Sequence, residues 1–314
     1  MIKIFHINDY VVNTADYDNH LHGKIVTSFE ENFCEYVGAK YACSFSSATS
    51  AIFLAFLNKS TNVFVPSMIP PVVLNALINA GNSISLTDNT EWVGHSYLLH
   101  SFPDYKIIDS AQRVSKNQFR DEANDQDLMI FSFYPTKPVG GIDGGIIVSN
   151  DKEKIDWLKC AALNGMTFDK DNWNRKILFP GWKMYMNSFQ ADIASKNLEK
   201  LEDKKEALAL IRDTYNRSFG YTNTSDHLYR VNVSNRSEFQ EKMKNSGIET
   251  GIHYHSTHTN EIYAAHNRSA EIYAKSELSS KITVSLPFNE MLSKEAVAFV
   301  TETVLRSGNL LREK

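Results

Sequence analysis

The 314-residue sequence predicts an α/β protein built around a mostly parallel sheet. Three short apolar runs, at 106–109, 128–133 and 145–149, are bounded by polar or glycine-rich turns, as buried strands tend to be. Upstream, residues 41–57 and 62–81 each have the pattern of a strand, a turn and a helix. Strands that alternate with helices along a chain are typical of the α/β class.

Polar side chains follow the first two of the three apolar strands. Asp109 ends one strand, with Gln112 just beyond it, and Ser132 ends the next, with Lys137 just beyond it. Ligands of open α/β sheets bind outside the carboxyl ends of the strands, so we expect the acid and the amine to face one crevice. Pyridoxal phosphate enzymes couple a sheltered lysine to such an acid. On spacing alone, a solvated lysine and a turn-capping acid explain the pattern as well.

The residues around this lysine and this acid carry a family resemblance. FSFYPTK at 131–137, followed by GGIDGG at 140–145, resembles the FSF-x-x-x-K signature and glycine turn of the DegT/StrS family of sugar aminotransferases. IIDSAQ at 107–112 resembles the strand of that family that ends in D-x-A-Q. The resemblance implies that Lys137 forms the Schiff base with pyridoxal 5'-phosphate and that Asp109 pairs with the pyridine nitrogen. It also implies that Gln112 lies by the phenolic oxygen and that Ser132 binds the phosphate.

The same resemblance, which covers roughly residues 25–305, implies the fold. It is that of a fold type I transferase, with a mostly parallel seven-stranded sheet in a large domain and a small C-terminal α/β domain. From about residue 210 the sequence pattern changes to shorter strands and helices. We therefore expect a cofactor-binding domain at 1–210 and a small domain at 211–314.

Two further segments resemble phosphate-binding parts of the family. SSATSA at 46–51 resembles the S-G-T-x-A turn, which implies phosphate contacts from Ala48 and Thr49 at a helix start. In GWKMYM at 181–186, Lys183 stands where the family has a phosphate-binding Asn that the partner subunit supplies. The resemblance thus implies a homodimer with shared active sites. An ordinary capped turn at 46–51 and a solvated Lys183 remain the alternatives.

The sequence departs from the family pattern in the same regions. Ala48 replaces a glycine of the phosphate turn, and Pro70 or Ile69 stands where the family places an aromatic ring that stacks on the pyridine. We expect weaker stacking on the cofactor for this reason.

A histidine-rich segment lies in the predicted small domain. GIHYH at 251–255 resembles a G-x-H-Y turn at the mouth of the family's active site, which implies that His253 and Tyr254 contact substrate. Imidazoles are common zinc ligands, and His253, His255 and His258 cluster here. No Cys or carboxylate stands at a fitting interval, so we expect no metal site.

The overall composition excludes several partners. A net charge of −4 gives no electrostatic basis for binding nucleic acid or an anionic membrane. The start, MIKIFHINDY, lacks the apolar core of a signal peptide, and the longest apolar run, at 51–57, is too short to span a bilayer. Three cysteines without a CxxC spacing are typical of a reducing compartment. We expect a cytoplasmic protein.

These observations leave three functional hypotheses. The first is an aminotransferase that acts on a keto-sugar nucleotide with glutamate as amino donor. The second is a different reaction on the same cofactor, such as dehydration. The resemblance implies that family members that dehydrate sugars carry a histidine in place of the lysine, whereas this chain keeps the lysine. The third is a non-catalytic relative that binds ligand without turnover, which the absent stacking ring, Ala48 and Lys183 would favour.

Overall fold

The computed structural model describes residues 1–167 and 174–312. Within this range, strands and helices alternate as the sequence predicts, and the α/β class is confirmed. The strands of the described residues are β1 (Tyr41–Phe45), β2 (Asn62–Pro66), β3 (Ser83–Thr87), β4 (Tyr97–Ser101), β5 (Lys106–Asp109), β6 (Leu128–Ser132), β7 (Gly145–Ser149), β8 (Tyr229–Val233), β9 (Thr283–Leu286) and β10 (Leu310–Leu311). The α-helices are α1 (Lys24–Val37), α2 (Ala48–Ala55), α3 (Pro71–Asn79), α4 (Gln118–Glu122), α5 (Lys152–Ala162), α6 (Ser188–Glu199), α7 (Leu201–Phe219), α8 (Arg236–Asn245), α9 (Glu261–His266), α10 (Ala274–Ile282) and α11 (Lys294–Arg306).

The strands β1 to β7 form the central sheet structure, but they do not pair as the single, mostly parallel seven-stranded sheet that we expected. They pair as a five-stranded sheet in the order β1-β7-β6-β5-β4 and a separate parallel pair, β2-β3. Of the four neighbouring pairs in the five-stranded sheet, only β5-β6 is parallel, and the other three are antiparallel. The strands β1, β5 and β6 therefore run in one direction, and β4 and β7 run in the other.

The connections explain the antiparallel pairs. Residues 102–105 alone join β4 to β5, and residues 133–144, which contain no helix, join β6 to β7. A parallel pair needs a long crossover, usually through a helix, whereas a short link reverses the chain direction. Residues 110–127, which contain α4, provide such a crossover between β5 and β6. The carboxyl ends of these two strands therefore meet at one edge of the sheet.

The central strands are buried on both faces. In β5, Ile107 belongs to one hydrophobic cluster and Ile108 to the other, and in β6 the same alternation places Ile130 and Phe131 on opposite faces. This follows from the two-residue period of a strand. Helices α2, α3 and α5 pack on the first face, and α1 and α6 pack on the second. The covered sheet is a rigid base for the residues at its edge.

A second, smaller sheet lies in the C-terminal part. It has the order β10-β8-β9 and packs against α7, α8 and α11. The predicted boundary at 210 falls inside α7, because Leu201 packs in the core of the large domain and Tyr215 in that of the small one. The N-terminal Ile2 also pairs with Ile248 of the small domain. The two-domain division stays a prediction, with α7 crossing its boundary.

None of the helices in the described ranges has the length and apolar character needed to cross a membrane.

Candidate active site

One cavity of about 470 Å³ lies at the carboxyl ends of β5 and β6. It brings together every residue predicted to bind cofactor or substrate except Lys183. The predicted residues that line it are Ala48, Thr49, Asp109, Gln112, Ser132, Lys137, His253 and Tyr254. These residues come from both predicted domains, and the sheet edge supplies the acid and the amine, as the strand-end argument expects.

Lys137 lies in the loop after β6, half-buried in the cavity wall. Its backbone N–H closes a turn onto the carbonyl of Tyr134 at 2.8 Å. Gly140 follows with φ of 66°, and a Cβ there would also lie 2.9 Å from the carbonyl oxygen of Pro135, so glycine is needed to complete the loop. Burial lowers the pKa of the Lys137 amine to about 8, while the charge of Asp109 opposes this shift. A fraction of the amine is therefore neutral and nucleophilic near neutral pH, where an ordinary lysine is almost wholly charged.

Asp109 ends β5 and is only 4% exposed. Its Oδ1 accepts a hydrogen bond from the backbone N–H of Ala111 at 2.9 Å, and its Oδ2 accepts one from the hydroxyl of Tyr97 at 3.0 Å. Burial raises the pKa of Asp109, whereas these two bonds and the charge of Lys137 act in the opposite direction. The carboxylate is thus a fixed, desolvated acceptor at the edge of the cavity.

Gln112 and Tyr254 form one wall of the cavity. The Oε1 of Gln112 accepts from the backbone N–H of Gly94 at 2.7 Å, and its Nε2 donates to the hydroxyl of Tyr254 at 2.9 Å. The ring of Tyr254 stacks on Trp92 with a centroid distance of 5.9 Å and an interplanar angle of 7°. An amide nitrogen carries two hydrogens, so Nε2 of Gln112 has a second one to offer a ligand.

The first turn of α2 also lines the cavity. Ser47 caps this helix by accepting a hydrogen bond from the N–H of Ser50 at 3.1 Å. The N–H groups of Ala48 and Thr49 belong to the first turn, which has no intrahelical acceptors, and they carry the positive end of the helix dipole. The turn rests directly on β7, because a Cβ at Gly145 would lie 2.5 Å from the N and Cα of Ala48. These amides and the hydroxyl of Ser132, which lines the same cavity, suit an anion.

Pro70 lines the cavity, as the sequence register suggests, and precedes α3 as its N-cap. This chain lacks the aromatic ring that the family places at this position, but the ring of another residue, Trp92, also lines the cavity. The sequence argument missed Trp92. Its indole N–H donates to the carbonyl of Met68 at 3.2 Å, so the ring is held in place.

His227 is a second residue that the sequence argument missed. It lines the cavity and stacks on Phe5 at 5.7 Å, while His253 meets the same Phe5 edge-on at 5.8 Å. Burial lowers the pKa of both imidazoles, that of His253 to about 4, and the charge of Lys137 adds to the effect. Two neutral histidines therefore stand near the amine. The HLYR segment at 227–230 has only a strand pattern, so tertiary packing alone reveals this position.

Lys183 lies outside the cavity and is exposed. Its backbone forms an isolated bridge with Leu163, and the neighbouring Met184 accepts a hydrogen bond from the N–H of Ser46 at 2.8 Å. The segment thus runs beside the turn that precedes α2. The role of Lys183 at a partner's phosphate stays a prediction.

The three clustered histidines do not converge. His253 binds Ser285, His258 binds Ser67 and Ser256, and His255 is exposed. Across residues 1–167 and 174–312, no group of three His, Cys, Asp or Glu side chains could hold a metal ion.

The lining residues match the needs of pyridoxal 5'-phosphate. A desolvated lysine suits its aldehyde, a buried carboxylate suits its ring nitrogen, and a capped helix start with adjacent hydroxyls suits its phosphate. An α/β fold with this lysine, acid and helix start around one cavity defines a fold type I pyridoxal phosphate enzyme.

The sequence profile of the DegT/DnrJ/EryC1/StrS aminotransferase family matches residues 4–89 and 107–305. The chain therefore belongs to this family and is a pyridoxal phosphate-dependent aminotransferase. The profile does not match residues 90–106, which contain Trp92 and β4.

Curated relatives and solved structures agree with this assignment. The UDP-4-amino-4,6-dideoxy-N-acetyl-beta-L-altrosamine transaminase of Campylobacter jejuni is 25% identical over 342 aligned positions, which cover 90% of this chain and 89% of the relative. The spore coat polysaccharide biosynthesis protein SpsC of Bacillus subtilis is 25% identical over 348 positions, with 90% and 89% covered. The aminotransferase TlmJ of Streptoalloteichus hindustanus has a TM-score of 0.81 at 19% identity, with 98% of each chain covered. The PLP form of the sugar aminotransferase Spr1654 of Streptococcus pneumoniae has a TM-score of 0.77 at 16% identity, with 96% and 97% covered.

Proposed function

We propose that the protein transfers an amino group to a keto-sugar nucleotide, with glutamate as amino donor. The observation that carries the proposal is that Lys137 and Asp109 line one cavity together with the first turn of α2. The two curated relatives support the substrate class, since one is named as a transaminase of a UDP-linked amino sugar and the other serves polysaccharide biosynthesis. We propose the same setting for this chain, the assembly of a cell-surface polysaccharide.

Some residues of the cavity would bind the cofactor, and others would hold or transfer protons. Ser132, Thr49 and the amides of the α2 start would hold the phosphate, and the remaining hydrogen of Gln112 Nε2 would reach the phenolic oxygen. When bound, the cofactor supplies an electron-accepting ring. Asp109 supports this chemistry by holding a proton on the ring nitrogen through a charge-assisted hydrogen bond.

Lys137 would move protons between the carbon atoms of the reacting group. A general acid and base works best when its pKa lies near the working pH, and burial brings the pKa of the Lys137 amine to about 8. The loop turn between Tyr134 and Lys137 fixes the base of the side chain, while its long stem leaves the amine room to swing.

His253 and Tyr254 would contact the substrate from the small domain. Hydrogen bonds orient both side chains, that of His253 through Ser285 at 2.8 Å and that of Tyr254 through Gln112. Because burial keeps the imidazole of His253 neutral, it can accept or donate a hydrogen bond to a sugar hydroxyl without adding charge.

The proposal includes a homodimer in which Lys183 reaches the partner's phosphate, and a cytoplasmic location. Cys34, Cys43 and Cys160 are all unpaired within the described part of the chain, which fits a reducing compartment. The partners would be the sugar nucleotide and the amino donor, with neither nucleic acid nor membrane involved.

One spectrum of the purified protein with bound cofactor tests the activity. The visible absorbance should be lost when glutamate is added and should return when a keto-sugar nucleotide follows. Borohydride reduction should fix the cofactor on Lys137. Lys204 is a matched control because burial lowers its pKa as well and it shares a small cavity with Lys137.

Two outcomes would overturn the proposal. Attachment of the cofactor to Lys204, or to no lysine at all, would contradict the assignment of Lys137. Cofactor bound at Lys137 whose absorbance is unchanged by any amino donor would instead identify a non-catalytic relative.

A further inference from the structure

A tyrosine that belongs to no recognised motif touches the acid of the site. The hydroxyl of Tyr97 donates to Oδ2 of Asp109 at 3.0 Å. The two residues are direct partners in the pairing of β4 with β5, so the backbone register holds them opposite each other. The ring of Tyr97 packs against Trp92 at a centroid distance of 5.0 Å, which fixes its orientation.

This contact involves a segment that lies outside the match to the family profile. Tyr97 lies within residues 90–106, which the family profile does not match, whereas Asp109 lies within the matched part. The short link at 102–105 makes β4 antiparallel to β5 and thereby brings the start of β4 to the carboxyl end of β5. The hairpin therefore places the hydroxyl of Tyr97 beside Asp109 at the end of β5.

The surroundings give the hydroxyl an electrostatic role. Burial raises the pKa of Asp109, and the groups that oppose this are the Tyr97 hydroxyl, the Ala111 N–H and the charge of Lys137. Tyr254 also interacts with Asp109, and burial raises the pKa of Tyr254, so that its hydroxyl stays neutral. A carboxylate has about four lone-pair sites, so the two existing bonds leave acceptor capacity for a ring nitrogen.

We propose that Tyr97 is a positioning residue for the reaction: it fixes the orientation of the Asp109 carboxylate and keeps it ionised, so that the ring nitrogen of the cofactor stays protonated. This inference rests on the proposed role of Asp109. The alternative is a tyrosine that serves only the packing of the hairpin, in which case its hydroxyl has no influence on the ring nitrogen.

The test is the protonation of the ring nitrogen in the holoenzyme, followed by nuclear magnetic resonance with a cofactor labelled with nitrogen-15. Tyr97→Phe keeps the ring packing and removes only the hydroxyl. Without that donor, Asp109 competes better for the shared proton, so the nitrogen resonance should move toward that of neutral pyridine. The turnover number should fall about tenfold, while the KM for the amino donor stays nearly constant because Tyr97 does not reach substrate.

Two further variants sharpen the test. Tyr105→Phe removes a hydroxyl from the turn of the same hairpin, at the opposite end of β5 from Asp109, and should leave the nitrogen resonance unchanged. Incorporation of 3-fluorotyrosine at position 97 makes the hydroxyl a stronger donor and should move the resonance in the opposite direction. This variant retains all contacts, so it also decides the question if Tyr97→Phe folds poorly.

The outcomes separate the two proposals. A parent holoenzyme without a protonated ring nitrogen, or one in which Asp109→Asn leaves that proton in place, would defeat the proposed role of Asp109. A parent that has the proton and loses it in Asp109→Asn, but keeps the same resonance with phenylalanine and with 3-fluorotyrosine at position 97, would overturn the role of Tyr97 alone.

Discussion

The amide of Gln112 donates to the hydroxyl of Tyr254 at 2.9 Å, and this bond joins the edge of the five-stranded sheet to the predicted small domain. Gln112 is fixed on its other side by the N–H of Gly94, and Tyr254 by its stack on Trp92. A predicted cofactor residue and a predicted substrate residue thus orient each other. A substitution of either residue should therefore alter the position of the other side chain.

We expect Tyr254→Phe to weaken cofactor retention a few-fold, because the Gln112 amide loses one of the two bonds that orient it, at a cost of about 1 kcal/mol. A double-mutant cycle with Gln112→Ala, read from cofactor dissociation, should give a coupling energy of similar size. Tyr263→Phe is the matched control, since it removes an exposed tyrosine–amide bond to Asn75 away from the cavity. Additive effects of the Tyr254 and Gln112 changes would refute the coupling.

The pH dependence of cofactor uptake should report the pKa of the Lys137 amine. Only the neutral amine attacks an aldehyde, and burial lowers the pKa of this group to about 8. The rate of covalent attachment to the apoprotein should therefore rise with pH through about 8 and level off above it. Asp109→Asn removes the charge that opposes the shift, so the midpoint should move to lower pH. A midpoint near 10.5, the ordinary value for lysine, would show that the amine is solvated.

Asp109→Asn should lower the turnover number without lowering the stability of the fold. Burial raises the pKa of Asp109 in the folded protein, so the ionised group opposes folding once the pH exceeds that value. The apoprotein of the variant should then unfold at the same or a higher temperature than the parent at neutral pH, and the difference should vanish in acid. Turnover should nevertheless fall about a hundredfold or more, since the charge-assisted bond to the ring nitrogen is lost. Near-normal turnover would make Asp109 a structural acid only.

The sequence was sufficient to predict those parts of the site whose geometry depends on local pattern and strand direction. Asp109 and Lys137 were expected to share a crevice because both follow strand ends, and the parallel pairing of β5 and β6 places them in one cavity. Pairing direction elsewhere depends on what the connections contain, and residues 133–144 form no crossover helix, so β7 runs antiparallel.

The residues that sequence reasoning missed lie where no motif was available. Trp92 precedes the β4-β5 hairpin and Tyr97 is its first residue, and the turn of this hairpin holds Pro103 and Asp104 between two apolar runs. That dipeptide is a turn signal, and it could have indicated β4 and its pairing with β5. His227 gave no such signal, because its place in the cavity depends on how the small domain packs against Phe5.

Lys183 has an exposed side chain that lies outside the cavity of its own chain. The hydroxyls and amides at the α2 end do not neutralise a phosphate, so a cation from elsewhere would complete the site. If a partner subunit supplies it, Lys183→Ala should weaken cofactor retention, while Lys137 still reacts at saturating cofactor. Lys176→Ala, an exposed lysine shortly before it in the chain, is the control and should have no effect.

A mixed dimer distinguishes action across the subunit interface from action within one chain. When Lys137→Ala subunits exchange with Lys183→Ala subunits, one site of each mixed dimer carries both changes if Lys183 acts on the partner. The other site is then intact, so activity at limiting cofactor should exceed that of either parent variant. If Lys183 acts within its own chain, every site keeps one defect and no activity is regained. Absence of recovery, with subunit exchange verified by mass, would therefore exclude the shared site.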